Sequence, residues 1–309
     1  MRKAVKKINN TSCVEMDGLK RLFESKFRLS SDNLFFANSI KELLYLIPVV
    51  FNPERVLIAG PALGLYEDAA RSGGAEVSYM PAVETDGFAL DMSRLQENVR
   101  NIDLVFLANP NRITGKLLSM EKIREAVTAT TSGRPHFVID ESLIDFAGPD
   151  DYQADMLDRG NITILRTTAY FYGMPGLELA YAVSSPGVIH LYEKKRHGEI
   201  NLLSVTAARA AYKDSTYGKA TKQYMALEKK AIARRLQKIE WIRVYDTDSN
   251  IILLKIDKDP EELAQRLRRA GLDVRDCGDI TGLDRSFFRI SVMKHENNLK
   301  LMSALKSFV

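Results

Sequence analysis

Ile164-Leu-Arg-Thr-Thr-Ala-Tyr-Phe-Tyr-Gly-Met-Pro-Gly-Leu-Glu-Leu-Ala-Tyr181 is the stretch on which the reading of this chain turns. It begins in a β-branched run, Ile162 to Arg166, passes through a turn at Pro175-Gly176, and re-enters an apolar run at Ala180-Tyr-Ala-Val183. Upstream stand three more short runs apolar on both faces: Val56 to Ala59, Asp103 to Ala108 and His136 to Asp140. Helix-length segments such as Ser119 to Thr128 separate them. Strands buried on both faces and joined by helices predict an α/β domain with a mostly parallel sheet sandwiched by helices.

The pattern changes after Asn201. Long charged helical stretches run to about Glu240, followed by a strand at Ile251–Ile256, a helix starting near Asp259-Pro260, a strand at Phe287–Val292 and a terminal helix from Glu296. This predicts a smaller C-terminal α+β domain. The expected organisation is an N-terminal segment, 1–28, packing with the small domain; a large domain, 29–205; and a connecting helix with the small domain, 206–309.

The bulk properties exclude several function classes. The 309 residues are 45% hydrophobic and 27% charged, with a net charge of +4, the balance of a globular protein. The apolar run Leu43 to Phe51 is broken by Pro48 and is far shorter than the roughly 20 residues of a spanning helix. The basic N-terminus lacks the apolar core of a secretory signal, and Cys13 and Cys277 form no disulfide framework. A cytoplasmic protein is expected. Lys229, Lys230, Arg234, Arg235 and Lys238 alternate with apolar residues at helical spacing, a solvated helix face rather than a nucleic-acid site. The four histidines form no HExxH or Cys/His cluster, so no metal is expected.

Ligands in open α/β sheets bind beyond the carboxyl ends of the strands. The segments there are Pro61–Tyr66, Asn109-Pro-Asn-Arg-Ile-Thr-Gly115, Asp140–Phe146 and Thr167-Thr-Ala-Tyr170, with Ala37-Asn-Ser-Ile-Lys-Glu42 opening a helix. In this order, over roughly residues 17 to 309, they resemble the class I/II aminotransferases dependent on pyridoxal phosphate (PLP), of fold type I. The likeness is greatest to histidinol-phosphate aminotransferase and the threonine-phosphate decarboxylase of cobalamin synthesis. The run Val274 to Val292, with Glu296-Asn297 beyond, looks most like the decarboxylase branch.

The resemblance implies a role at each position. A lysine must form an imine with PLP, the internal aldimine; the matching residue is Tyr170, whose phenol cannot. Lys194 and Lys195 lie in a charged stretch well downstream. Asp140 matches the carboxylate that keeps the pyridine nitrogen protonated; a strand-end aspartate capping a turn is the simpler alternative. Thr167 and the helix-opening loop Ser39-Ile40-Lys41 match the phosphate cup. Glu178 replaces the phosphate-binding arginine, exchanging a cation for an anion, a difference of several kcal/mol at about 4 Å even at an effective dielectric near 20. Arg112 and Leu143 replace the asparagine and tyrosine that contact the ring hydroxyl, Ile113 replaces the following proline, and Leu63 replaces the stacking aromatic. Arg289 matches the fork that binds the substrate carboxylate, or is a strand arginine paired at the surface.

The expected protein is therefore aminotransferase-like but degenerate, unable to form the internal aldimine. An inward set of Lys41, Arg112 and Arg289 would suit a small anionic metabolite. Two alternatives stand beside it: an active PLP-dependent aminotransferase or amino-acid-phosphate decarboxylase holding its cofactor noncovalently, with Tyr170 as base, and a structural partner of an active paralogue. The resemblance also implies a homodimer.

Overall fold

The computed structural model describes residues 6, 13–130, 134–148 and 154–308. The large domain is built from α1 (Cys13–Phe27), β1 (Leu34–Ala37), α2 (Ile40–Phe51), β2 (Arg55–Ala59), α3 (Gly64–Ser72), β3 (Glu76–Met80), α4 (Met92–Asn98), β4 (Leu104–Ala108), α5 (Met120–Ala129), β5 (His136–Asp140), α6 (Ile144–Ala147), α7 (Ala154–Leu157), β6 (Ile162–Thr167), β7 (Ala180–Ser184) and α8 (Pro186–Lys194). Then come α9 (Leu202–Lys213), α10 (Ser215–Leu236), β8 (Ile242–Val244), β9 (Ile251–Ile256), α11 (Pro260–Arg269), β10 (Arg275–Asp276), β11 (Phe287–Ser291) and α12 (His295–Lys306).

Seven strands form one sheet in the order β1-β7-β6-β5-β4-β2-β3. Pairing is parallel from β3 through β2, β4 and β5 to β6, and antiparallel where β7 meets β6 and β1. Every residue of β4, β5, β6 and β7 is buried, because helices cover both faces. On one face Leu43, Leu44 and Ile47 of α2 pack with Val56, Phe106 and Val138; on the other Leu95, Ile123 and Val127 pack with Leu57, Val105 and Phe137. The five runs read from the sequence are strands here. β1 and the half-exposed edge strand β3 are additional.

The start of α2 is set locally. The Ser39 hydroxyl accepts the Glu42 amide at 3.1 Å, and the Glu42 carboxylate reaches back to the Asn38 amide at 2.8 Å. This reciprocal cap fixes where the helix opens toward the strand ends. At the other end Asn52, at φ +44, closes the helix in the left-handed region.

The small domain is an antiparallel sheet, β10-β11-β9-β8, whose Ile252, Leu254, Phe288 and Ile290 pack on Ile232 and Leu236 of α10, Leu263 and Leu267 of α11, and Leu301 and Leu305 of α12. Asp259 caps α11, Pro260 opens it, and acids in its first turn and arginines in its last complement the helix dipole.

Two expectations about organisation need correction. The described part of the N-terminal segment, α1, lies on the large sheet and α9 rather than on the small domain. Its Phe23 packs edge-on against Tyr181 and Tyr212, at 4.9 and 4.8 Å between ring centroids, and its Glu15 pairs with Arg209 at 2.8 Å. Phe23 is fully buried there, and apolar burial of that size decides the seat. The expected boundary at 205/206 falls within the unbroken helix α9. Among the described residues no helix is long and apolar enough to cross a membrane, and no group of His, Cys, Asp or Glu is placed to hold a metal ion.

Candidate active-site cleft

The sheet brings Asp140, Thr167 and the loop after β4 to one edge, because β4, β5 and β6 are adjacent, parallel and in register: Ala108 faces Asp140, and Asp140 faces Leu165. Asp140 is 1% exposed. Its Oδ1 accepts the Ser142 amide at 2.9 Å and the Ser142 hydroxyl. Its Oδ2 accepts the Tyr66 hydroxyl at 2.5 Å and lies 3.5 Å from Arg112 Nη1.

Tyr66 comes from the first turn of α3, and its ring stacks on Phe106 with centroids 5.4 Å apart. Burial foremost, and then the Asp140 charge, push its pKa well above the ordinary phenol value, so the hydroxyl remains a donor to the carboxylate. Tyr66 closes the segment Pro61–Tyr66, and no role for it follows from that segment alone. A tyrosine in the first turn of the helix after a parallel strand was the available signal.

Arg112 is the centre of the cleft. Its Nη2 donates to the Tyr170 hydroxyl at 2.7 Å, and its guanidinium carbon lies 5.1 Å from the Tyr170 ring centroid. With Nη1 on the Asp140 side, one guanidinium spans the interval between Tyr170 and Asp140. Burial opposes the charge on Arg112, but Asp140, then Tyr66 and Tyr170, outweigh it, and its pKa is raised.

The loop carrying Arg112 is held on several sides. Asn111 Oδ1 accepts the amides of Ile113 and Thr114 at 2.9 and 3.0 Å, and its Nδ2 donates to the Pro61 carbonyl at 2.9 Å. Gly115, at φ +73, turns the chain so that its carbonyl accepts the amides of Asp248 and Ser249. Arg289 of β11 donates from Nη1 to the Arg112 carbonyl at 2.9 Å. Burial, and then the Arg112 cation, lower the pKa of Arg289. Among the described residues the Arg112 carbonyl is the only hydrogen-bond acceptor supplied to the Arg289 guanidinium.

A second cluster lies at the start of α2. Glu178 Oε1 accepts the Ile40 amide at 3.0 Å and the Thr167 hydroxyl at 2.6 Å, and the Thr167 oxygen accepts the Ala169 amide at 3.2 Å. A carboxylate thus sits on the first amide of a helix N-terminus, where both the unpaired N–H group and the helix dipole favour an anion.

Not all expected site residues converge. Lys41 points away: it is exposed on the surface of α2, with its Nζ 5.6 Å from the Tyr45 ring, so the inward cationic set reduces to Arg112 and Arg289. Position N2 of a helix whose N1 amide faces the cleft projects its side chain around the helix axis by about 100°. Leu143 is buried before α6, and Leu63 is half-buried before α3 against the core. Tyr170 remains 39% exposed. Lys194 and Lys195, at the end of α8, are exposed.

Comparison with known proteins places this geometry. Residues 14–305 match the family described as aminotransferase class I and II. Histidinol-phosphate aminotransferase 2 of Archaeoglobus fulgidus is 31% identical over 308 residues, covering 98% of this chain and 86% of its own. The threonine-phosphate decarboxylase of Salmonella typhimurium is 25% identical over 309 residues, covering 97% and 85%. Among solved structures, the histidinol-phosphate aminotransferase of Clostridium acetobutylicum superimposes with a TM-score of 0.90 at 24% identity, over 99% of this chain and 92% of that one. That of Sinorhizobium meliloti, solved in complex with pyridoxal-5'-phosphate, gives 0.89 at 22% identity, over 100% and 86%. The seven-stranded sheet, the small antiparallel domain and the cleft at the strand ends are those of fold type I, and the chain belongs to the class I and II aminotransferase family.

Proposed function

We propose that this chain is a degenerate member of its family: it forms no imine with PLP, does not hold the cofactor in the family manner, and keeps an anion-binding cleft. One observation carries the reading, the Arg112 guanidinium lying between the Tyr170 hydroxyl and the Asp140 carboxylate. A pyridoxal ring would need a carboxylate for its ring nitrogen and an amine for its aldehyde. At these positions Asp140 is engaged by Tyr66, Ser142 and Arg112, and Tyr170 has no amine. The residues present do not fit the group.

Arg289 supports the anion site. Among the described residues its planar fork has one protein acceptor, and it stands near a second guanidinium with Asp140 as the local counter-charge. A carboxylate or phosphate at the free edge of the fork would offset the repulsion between the two cations.

Absorbance of the purified protein titrated with PLP, before and after borohydride reduction, tests the first part. No saturable cofactor band and no adduct within the cleft are expected once peptide mapping has set aside PLP trapped on exposed lysines; a reduced adduct in the cleft would overturn the reading. Thermal melting with amino-acid phosphates tests the second, since a ligand that binds only the folded state raises stability by about 2.7 kcal/mol at one hundred times its dissociation constant. The increase should vanish in Arg289→Ala.

A further inference from the structure

Both ends of the cleft, and not only the Asp140 end, are filled by side chains of the chain itself. The contacts of Glu178 and Arg112 carry the degenerate reading further. Each makes, from within the chain, the contact that an external ligand would make at one end of the cleft.

At one end the cradle consists of the Ile40 amide at the opening of a twelve-residue helix and the buried Thr167 hydroxyl. Both donors converge on a single oxygen, Glu178 Oε1. At the other end Asp140, a buried carboxylate that needs a cation, faces the Arg112 guanidinium, which also meets the Tyr170 hydroxyl. An anion in the anion cradle and a flat cation beside the carboxylate reproduce the charge pattern of a bound phosphorylated pyridinium, with no external molecule.

We propose that Glu178 and Arg112 are resident surrogates, so that the cleft is closed to phosphorylated cofactors by occupation and not only by the absence of a lysine at Tyr170. The proposal rests on the degenerate reading above and assigns its cause. Glu178 excludes a phosphate twice over, by taking its two donors and by presenting a negative charge to it. Arg112 excludes the ring by filling the interval that the ring would span. Reopening the site therefore requires changes at both ends.

Four proteins test this: the native chain, Y170K, the triple variant Y170K/R112N/E178R, and E178A. Each is checked for folding by circular dichroism, then titrated with PLP, reduced with borohydride and weighed intact. Borohydride converts a C=N bond to a secondary amine, so a captured cofactor appears as added mass. Peptide mapping separates a cleft adduct from PLP trapped on exposed lysines: the native chain and Y170K should both lack a cleft adduct, and the folded triple variant should carry it at position 170. A cleft adduct on Y170K alone would overturn occupation as the cause while leaving the degenerate reading intact; a cleft adduct on the native chain would overturn the degenerate reading itself. A folded triple variant without a cleft adduct would also overturn occupation.

The fourth protein keeps the proposal decidable if the triple variant does not fold. Inorganic phosphate, followed by calorimetry, should bind E178A roughly tenfold or more tightly than the native chain, since truncating the side chain frees two donors and removes a like charge. A folded E178A whose phosphate affinity stays within about twofold of native would overturn the assignment of Glu178 as the cradle's occupant.

Discussion

The Arg112–Asp140 pair gives the sharpest quantitative prediction, through a double-mutant cycle of Arg112→Met, Asp140→Asn and the two together. Asp140 is 1% and the Arg112 side chain 10% exposed, with 3.5 Å between Nη1 and Oδ2. At an effective dielectric near 20 the direct attraction is roughly 5 kcal/mol. Part is offset by the cost of burying both charges, so removing one partner should cost more than the pair contributes net. The two single variants should also differ. Asp140 without Arg112 keeps donors from Tyr66 and from the Ser142 amide and hydroxyl, so Arg112→Met should cost about 2 kcal/mol. Arg112 without Asp140 keeps the Tyr170 hydroxyl but no counter-charge, so Asp140→Asn should cost about 3–5 kcal/mol. The double variant should be less destabilised than the sum by about 2–3 kcal/mol, because neither buried charge is then left unpaired. Urea unfolding of the four proteins, with midpoints compared at constant slope, measures this. A coupling below about 0.5 kcal/mol would show that the two charges act independently, and the picture of Arg112 seated on Asp140 would fall with it.

Two further predictions concern stability away from the cleft centre. His136 is buried at the start of β5, against Thr163 and the Phe51 ring, and burial pushes its pKa down to about 3. The folded value lies below the unfolded one near 6.5, so stability is full above pH 6.5 and is lost as pH falls toward 3. Between pH 7 and pH 5 the native chain should lose about 2 kcal/mol through this group, a loss that His136→Gln should lack in denaturant titrations at the two pH values. Gly115→Ala should destabilise by about 2–4 kcal/mol, because φ is +73 and a Cβ would meet the Thr247 hydroxyl and stand 2.6 Å from the Ile251 carbonyl. Differential scanning calorimetry would show it, and an unchanged melting temperature would mean that the loop tolerates the displacement.

Much of this was legible in the sequence. Val56–Ala59, Asp103–Ala108 and His136–Asp140 announce themselves as strands because a parallel sheet between helices must be apolar on both faces, and that pattern survives substitution as long as burial does. β1 and β3 are less visible: β1 is a four-residue edge strand, and β3 alternates exposed and half-buried residues over Glu76-Val-Ser-Tyr79 before the buried Met80. Within the cleft, position was legible where a strand ends, as at Asp140 and Thr167. Direction was not. Whether Lys41 faces inward depends on the roll of α2, which its burial against the sheet sets. That Glu178 would meet the Ile40 amide could not be read from residues 138 apart in sequence. The seat of α1 is not legible in the sequence, because an amphipathic helix reveals that it has an apolar face but not which surface covers it.

The tie between Arg289 and the Arg112 carbonyl, with the Gly115 carbonyl held by the Asp248 and Ser249 amides, has a mechanical consequence. The small domain grips the backbone of the same loop whose side chain reaches Asp140. A hinge motion of that domain would pull this loop with it, and the Arg112 guanidinium could not stay in place while its own main chain moved. The small domain is thus tied by main-chain acceptors to the loop that seats Arg112 beside Asp140.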